Sequence, residues 1–445
     1  MLSQSELKIK NLGEATIYSP LRLSTRGDDG IADYIPEGSV VFFQNELLRG
    51  EERNLDLHFE KAGPRQKIFF EPPKTKAAIV TCGGLCPGLN NVIRSIFLEL
   101  YHHYGVKDIL GIRYGFKGLN PDSGFDPIPL KPSDVSEIHK LGGTILGTSR
   151  GKEEISTIVD TLYNYGIDIL FCIGGDGTLK GAHAIYEEIT KRGYKKSVIG
   201  IPKTIDNDIN YVEKTFGFDT CIGITREILA SAHAEAVGAY NGIGLVKFMG
   251  RDSGFVAAHA TLSSLEVNFT LIPEVPFDLE GPNGLFTHLE DRLEKRKHAV
   301  IVVAEGAGQD LIPDTEIEKD ESGNIKHKDI GAFLSDAIKD HLNNKKITFS
   351  LKYIDPSYYI RSVPANANDS IFCDQLARNA VHAGMAGKTD MVIGLWHGLF
   401  THVPLTLATS SRKKVSPESE LWRNVIEATG QPFSMKSNKP EIDSN

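Results

Sequence analysis

From residue 76 onward, short apolar runs alternate with longer amphipathic stretches, and each run closes in glycines and polar residues. The runs are AAIVTCGG (77–84), ILGIRYG (109–115), IDILFCIGGDGT (167–178), SVIGIPKTIDND (197–208), GIGLVKFMGRD (242–252), HAVIVVAEGAG (298–308) and MVIGLWHG (391–398). Between them lie helix-patterned segments such as NNVIRSIFLELYHHY (90–104) and ITREILASAHAEAVGAY (224–240). Brief apolar runs without polar alternation, separated by helices, predict parallel strands buried on both faces in βαβ units. Seven strong runs, with weaker ones such as NFTLIPE (268–274), fit two sheets better than one. The expected fold is therefore α/β, with two Rossmann-like parallel-sheet domains.

Residues 1–74 lack this texture. They are loop-rich, with RGDDG at 26–30 and PP at 72–73, and carry no glycine-rich turn, so they are expected to form an N-terminal extension. After residue 410 the pattern decays into SSRKKVSPESE and a polar end, read as a C-terminal tail over 411–445. The remainder divides into one α/β domain over 75–212, to which 362–410 return, and a second over 213–361.

Composition narrows the function classes. The 445 residues hold 49 Lys+Arg against 58 Asp+Glu, a net charge of −9, which argues against a dedicated nucleic-acid binder. No apolar stretch reaches the 18 or so residues of a membrane helix, and the opening MLSQSELKIKNLGE has no apolar core, so a cytoplasmic protein is expected. Cys82 and Cys86 have no second pair to complete a zinc site and read as structural thiols. Glycine, at 43 residues, exceeds the roughly 7% usual in proteins, and the excess lies at the carboxyl ends of the predicted strands. Those ends are where open α/β sheets bind ligands.

Six strand-end clusters carry the candidate chemistry. Thr81-Cys82-Gly83-Gly84-Leu85-Cys86-Pro87-Gly88 enters a helix near Asn90 and could present backbone N–H groups to an anion. It matches neither GxGxxG nor the Walker pattern, and an ordinary tight turn is the alternative. Ile173-Gly174-Gly175-Asp176-Gly177-Thr178 is more specific: its glycines admit a polyphosphate, Asp176 is a hard oxygen ligand for Mg²⁺, and Thr178 adds a hydroxyl. GGDGT occurs in phosphofructokinases, NAD kinases and diacylglycerol-type lipid kinases, so it suggests a kinase without choosing the acceptor. Pro202-Lys203-Thr204-Ile205-Asp206-Asn207-Asp208 brings two carboxylates together, one able to take the proton of a sugar hydroxyl and the other to support it. Met249-Gly250-Arg251-Asp252-Ser253-Gly254 offers a guanidinium for charge on a moving phosphoryl group. Glu305, in Ala304-Glu305-Gly306, could accept from sugar hydroxyls, and Lys352 with Arg361 could hold a terminal phosphate.

In this order the six clusters resemble the 6-phosphofructokinase family over about residues 76 to 405. The resemblance implies two α/β domains with the active site between them, and transfer of the γ-phosphoryl of ATP to the 1-hydroxyl of fructose 6-phosphate. By matching motif it implies Asp206 as proton acceptor, Arg251 as stabiliser of the transferring phosphoryl, Asp208 in support and Asp176 at Mg²⁺. Gly83, Arg150, Gly151, Gly175, Asp176, Gly177 and Thr178 match nucleotide-site positions, Arg150 and Gly151 lying in GTSRG, which is similar to the family's GGT-x-L-G-[ST]-[SA]-R stretch. Thr204, Ile205, Asp206, Met249, Gly250, Arg251, Glu305, Lys352, Tyr358 and Arg361 match sugar-phosphate positions. A homodimer or homotetramer is implied as well, with neither nucleic acid nor membrane as partner.

Two departures shape the expectation. Pyrophosphate users of the family carry Asp in place of Gly177 and a Lys before the TID motif. Here Gly177 is the ATP-like choice and Lys203 the pyrophosphate-like one, a mixture most similar to the ATP-dependent enzymes of the pyrophosphate-like branch, including the trypanosomatid type. Compact bacterial members have an arginine seven residues before the Met of MGR; here that position is Gly242. The alternatives are a pyrophosphate-dependent enzyme, an NAD or lipid kinase, and a catalytically silent sugar-phosphate-binding subunit. A dehydrogenase is disfavoured because no GxGxxG opens a helix.

Overall fold

In the computed structural model, which describes residues 2–313 and 327–437, the apolar runs are strands of two different sheets. Contacts divide the chain into two units: 1–205, 209–217 and 362–411 form the first, and 206–208, 218–361 and 412–445 the second.

The first unit is built on a nine-stranded sheet. Its spatial order is Val40–Phe42, His58–Lys61, Leu399–Pro404, Met391–Trp396, Ser197–Pro202, Ile169–Gly174, Lys76–Thr81, Asp108–Ile112 and Ile128–Pro129. The five strands from Met391–Trp396 to Asp108–Ile112 run parallel. Every residue of Ile169–Gly174 and Ser197–Pro202 is buried, which is why these runs show no polar alternation. Helices including Ile155–Asn164, Asp176–Lys191, Leu89–Leu98 and Ala367–Met385 cover the sheet. Glu99–Tyr104 continues Leu89–Leu98 as a π-helical turn that ends at Gly105, φ +84°.

The flanks of this sheet are antiparallel, which the parallel pattern did not anticipate. Trp396 pairs with Leu399, and the two residues between them, His397 (φ +51°) and Gly398 (φ +74°), have the paired positive φ of a tight hairpin. The returning strand then accepts His58–Lys61, and that strand accepts Val40–Phe42. Part of the N-terminal extension is thus built into the edge of the first unit's sheet. The Phe59 ring, fully buried, lies 5.4 Å from that of Trp396.

The second unit holds a four-stranded, fully parallel sheet in the order Phe269–Leu271, His298–Ala304, Gly242–Phe248, Ser350–Ile354. Helices Phe218–Gly238, Phe255–Ser264, Leu285–Arg296 and Ile330–Asn344 pack on it. The segment read as a tail belongs to this unit. It forms the helix Glu420–Thr429, which packs on Phe255–Ser264 and buries Trp422 completely. Residues 438–445 of that segment lie outside the described residues.

All five cysteines are buried thiols. Burial pushes the Cys82 thiol up to about 12, so it stays protonated near neutral pH. Among the described residues no helix is long and apolar enough to cross a membrane.

Candidate active site

Strand register sets the geometry of the first unit's site. Ile173 pairs with Thr81, and Gly174 with Pro202, so three parallel strands end level and their loops emerge side by side. The loops are stitched by the backbone: Cys82 N–H donates to the Ile173 carbonyl at 3.0 Å, and Lys203 N–H to that of Gly174 at 3.0 Å. Gly83 N–H donates to the Ser149 carbonyl at 3.0 Å, while the Thr148 hydroxyl donates to the Gly83 carbonyl at 2.7 Å. The GTSRG stretch is therefore held against the first glycine turn. It presents Arg150 and Gly151 to solvent.

Gly175 caps the helix Asp176–Lys191, so the GGDGT motif lies at a sixteen-residue helix's positive end. Asp176 is the first helical residue, largely buried, with one carboxylate oxygen 3.0 Å from Lys180 Nζ. Thr178 is buried against Gly174, where an added Cβ would lie 2.2 Å from the Thr178 hydroxyl oxygen. Gly174 is therefore a glycine for packing. Gly177 differs: a Cβ there would meet nothing within 4 Å, and its backbone is helical. Neither strain nor crowding demands glycine at 177.

Lys203 is buried, and its Nζ donates to the Gly84 carbonyl at 2.6 Å. It braces the first glycine turn from below. Thr204 follows, partly buried, its carbonyl accepting from the Thr215 hydroxyl at 2.6 Å, and Ile205 is buried.

The second unit gathers a different set. Asn207 adopts φ +52°, a left-handed conformation that Asn tolerates, and lies between Asp206, partly buried, and Asp208, buried. The Ser253 hydroxyl donates to the Asp206 carbonyl at 3.4 Å, linking the carboxylate loop to the MGRDSG loop. That loop is in turn fixed to Ala304-Glu305-Gly306. Glu305 N–H donates to the Phe248 carbonyl at 2.9 Å, and Gly306 N–H to the Gly250 carbonyl at 3.0 Å. A Cβ at Gly306 would lie 1.9 Å from the Arg251 carbonyl oxygen, and Gly250 has φ +137° with its Cβ position 2.5 Å from the Ser253 carbonyl oxygen. These two glycines let Arg251 and Glu305 leave neighbouring strands at close quarters.

The electrostatics single out Asp206. Burial, then the negative charges of Asp208 and Glu305, push its carboxyl up to about 7, against the pull of Arg412 and Arg251. A carboxylate tuned to neutrality is suited to take and hold a proton.

The remaining residues expected from the sequence to meet a sugar phosphate lie on or after strands of this unit's sheet. Met249 is partly buried beside Gly250. Tyr358 is exposed, with the Arg361 guanidinium over its ring at 4.8 Å. Lys352 is exposed on the edge strand, in register with Gly244, five residues before Met249 along the neighbouring strand. A Cβ at Gly242 would lie 2.1 Å from the Ala236 carbonyl oxygen, so an arginine could not stand there without moving the preceding helix end.

Sequence reasoning missed Arg412. Its guanidinium lies 2.6 Å from the Asp208 carboxylate, yet it comes from the polar segment read as a tail. The run RKK was the available signal, and it resembles a solvated charge run.

The model of the family described as phosphofructokinase matches residues 76–384. The chain belongs to the phosphofructokinase family. Among curated phosphofructokinases, it is 51% identical over 441 residues to a Borreliella burgdorferi protein named ATP-dependent 6-phosphofructokinase, covering 97% of this chain and 98% of that one. Proteins of the same name from Amycolatopsis methanolica and Entamoeba histolytica are 44% and 46% identical; the alignments cover 97% and 96%, and 94% and 93%, of this chain and the relative respectively. Among solved structures, a pyrophosphate-dependent phosphofructokinase from Marinobacter aquaeolei matches with a TM-score of 0.66 at 18% identity, over 83% of this chain and 94% of that one. That likeness speaks to the fold.

Proposed function

We propose that this protein is an ATP-dependent 6-phosphofructokinase, transferring the γ-phosphoryl of ATP to the 1-hydroxyl of fructose 6-phosphate. The observation that carries the chemistry is Asp206, held beside Asp208 and Glu305 with its carboxyl near neutrality, in the loop where the family's motif sets the proton acceptor. Asp206 takes the hydroxyl proton as the phosphoryl group leaves ATP, and Arg251 balances the charge that spreads over the transferring oxygens. Gly83, Arg150, Gly151, Gly175, Gly177 and Thr178 receive the nucleotide, the helix N-terminus at Gly175 favouring its phosphates. Thr204, Ile205, Met249, Gly250, Glu305, Lys352, Tyr358 and Arg361 hold fructose 6-phosphate.

A Mg²⁺ ion fits Asp176, whose largely buried carboxylate supplies one hard oxygen at the helix end, the sparse protein ligation typical of Mg²⁺ shared with substrate phosphates. When bound it would supply positive charge to offset the charge of the nucleotide phosphates. ATP is favoured over pyrophosphate by the open space at Gly177 and by the names of the relatives at 44–51% identity. Lys203 does not oppose this, because its ammonium is engaged with the Gly84 carbonyl and so supports the nucleotide turn. The same reading takes the enzyme to be cytoplasmic and assembled from two or four copies.

Asp206→Asn tests the assignment. It should lower kcat by about 10²–10⁴-fold while fructose 6-phosphate still binds, measured by calorimetry. An Asp206→Asn enzyme that turns over like the parent would remove Asp206 from the reaction.

A further inference from the structure

The segment after residue 411 is tied to the catalytic loops at successive points. Lys413 N–H donates to the Asp208 carbonyl at 3.0 Å. Val415 N–H donates to Glu274 Oε1 at 2.8 Å, and the same oxygen accepts from Gly254 N–H at 3.0 Å, next to the MGRDS loop. Further on, Trp422 is fully buried in the helix Glu420–Thr429, and Gln431 closes a two-way bond with the Thr270 backbone at 2.6 and 3.2 Å. A segment secured this way can hold its first residue in place.

That residue is Arg412. Its Nη1 lies 2.6 Å from Asp208 Oδ2, and its Nε 4.0 Å from Asp252 Oδ2. Asp208 is 3% exposed, and a buried carboxylate stays ionised only with a charged or hydrogen-bonding partner. If the guanidinium were lost, its charge would no longer offset the Asp208 carboxylate, which pushes the Asp206 carboxyl up.

We propose that Arg412 is a positioning residue of the phosphoryl-transfer site, clamping Asp208 and through it fixing the orientation and charge of Asp206. The C-terminal segment is then part of the active-site construction. The proposal rests on the reading of Asp206 as proton acceptor. Asp208 and Glu305 push the Asp206 carboxyl up while Arg412 and Arg251 pull it down, so removing Arg412 takes away one of the two arginines that oppose the two acids.

The experiment is steady-state kinetics with ATP, Mg²⁺ and fructose 6-phosphate across pH 5.5–9 for Arg412→Gln, Arg412→Lys and Asp208→Asn/Arg412→Gln, with thermal unfolding in parallel. Arg412→Gln should lose about 10–100-fold in kcat with KM for ATP little changed, the scale of a misplaced catalytic group. Its acidic limb of kcat/KM should move to higher pH by about one unit, because a positive neighbour has gone. Arg412→Lys should recover part of both effects, keeping the charge without the two-pronged geometry. The double variant should lose little beyond Asp208→Asn alone, and Arg423→Ala, an exposed arginine in the same segment, should behave as the parent. Wild-type kcat in Arg412→Gln overturns the proposal. So does lower activity with a lowered melting temperature and an unmoved acidic limb, which marks a purely structural role. Parental turnover in Asp206→Asn would instead sink the proton-acceptor reading, so the two failures are distinguishable.

Discussion

At Gly177 an added Cβ meets no atom within 4 Å, whereas at Gly306 it would lie 1.9 Å from the Arg251 carbonyl oxygen. Both glycines follow a buried strand of a parallel sheet. The first is the second residue of a helix and has open space around it, where that helix starts beside the level strand ends. The second is a packing glycine, without which the Arg251 and Glu305 loops could not run side by side. The first unit thus brings together backbone turns and open space, while the second assembles charged side chains from four separate segments: 206–208, 251–252, 305 and 412. At Gly177 neither conformation nor crowding requires glycine, and what its absent side chain leaves is open space.

The largest way to break this contrast is Gly177→Asp. The site admits the side chain, and an Asp in the first turn of a helix favours the dipole, so the melting temperature should hold or rise slightly. A carboxylate about 4 Å from a phosphate costs on the order of 4 kcal/mol near a protein surface, so kcat/KM for ATP should fall by about 10²–10³-fold. Loss of folding instead would mean that Gly177 is structural after all. Next is Gly306→Ala, with the opposite signature: overpacking of about 1–3 kcal/mol, a melting temperature lowered by roughly 2–12 °C, and activity falling with it. An unaltered melting temperature would show that the two loops have slack.

The smallest effect sharpens the second unit's side of the comparison. The Asp206 carboxyl is raised in the folded protein, so its protonated form contributes stability that is full below about pH 4 and lost as pH rises through about 7. Asp206→Asn, which mimics the protonated acid, should melt higher than the parent at pH 8, with the difference closing toward pH 4. Equal melting curves at both ends would mean the carboxylate is not strained by its neighbours.

Much of the fold was legible because parallel strands buried on both faces read as unbroken apolar runs, and Ile169–Gly174 and Ser197–Pro202 lie where those runs stand. The antiparallel flank was not, since Val40–Phe42 is a three-residue edge strand with only its middle residue buried, too short for a periodicity. In the site, GGDGT and PKTIDND were visible because each stands directly after an unbroken apolar run, at the strand end where open α/β sheets bind ligands. Arg412 was hidden, because its partner Asp208 lies 204 residues away in sequence and only folding brings an exposed-looking RKK run to a buried carboxylate. Gly306 was equally silent, since crowding by the Arg251 backbone leaves no mark in a one-dimensional pattern.

The most direct measurement is donor choice. Fructose 1,6-bisphosphate formation from fructose 6-phosphate and Mg²⁺ would be followed with ATP and, separately, with pyrophosphate. ATP should give turnover, and pyrophosphate no more than background. Turnover with pyrophosphate alone would contradict it: Lys203, rather than the open space at Gly177, would then report the donor.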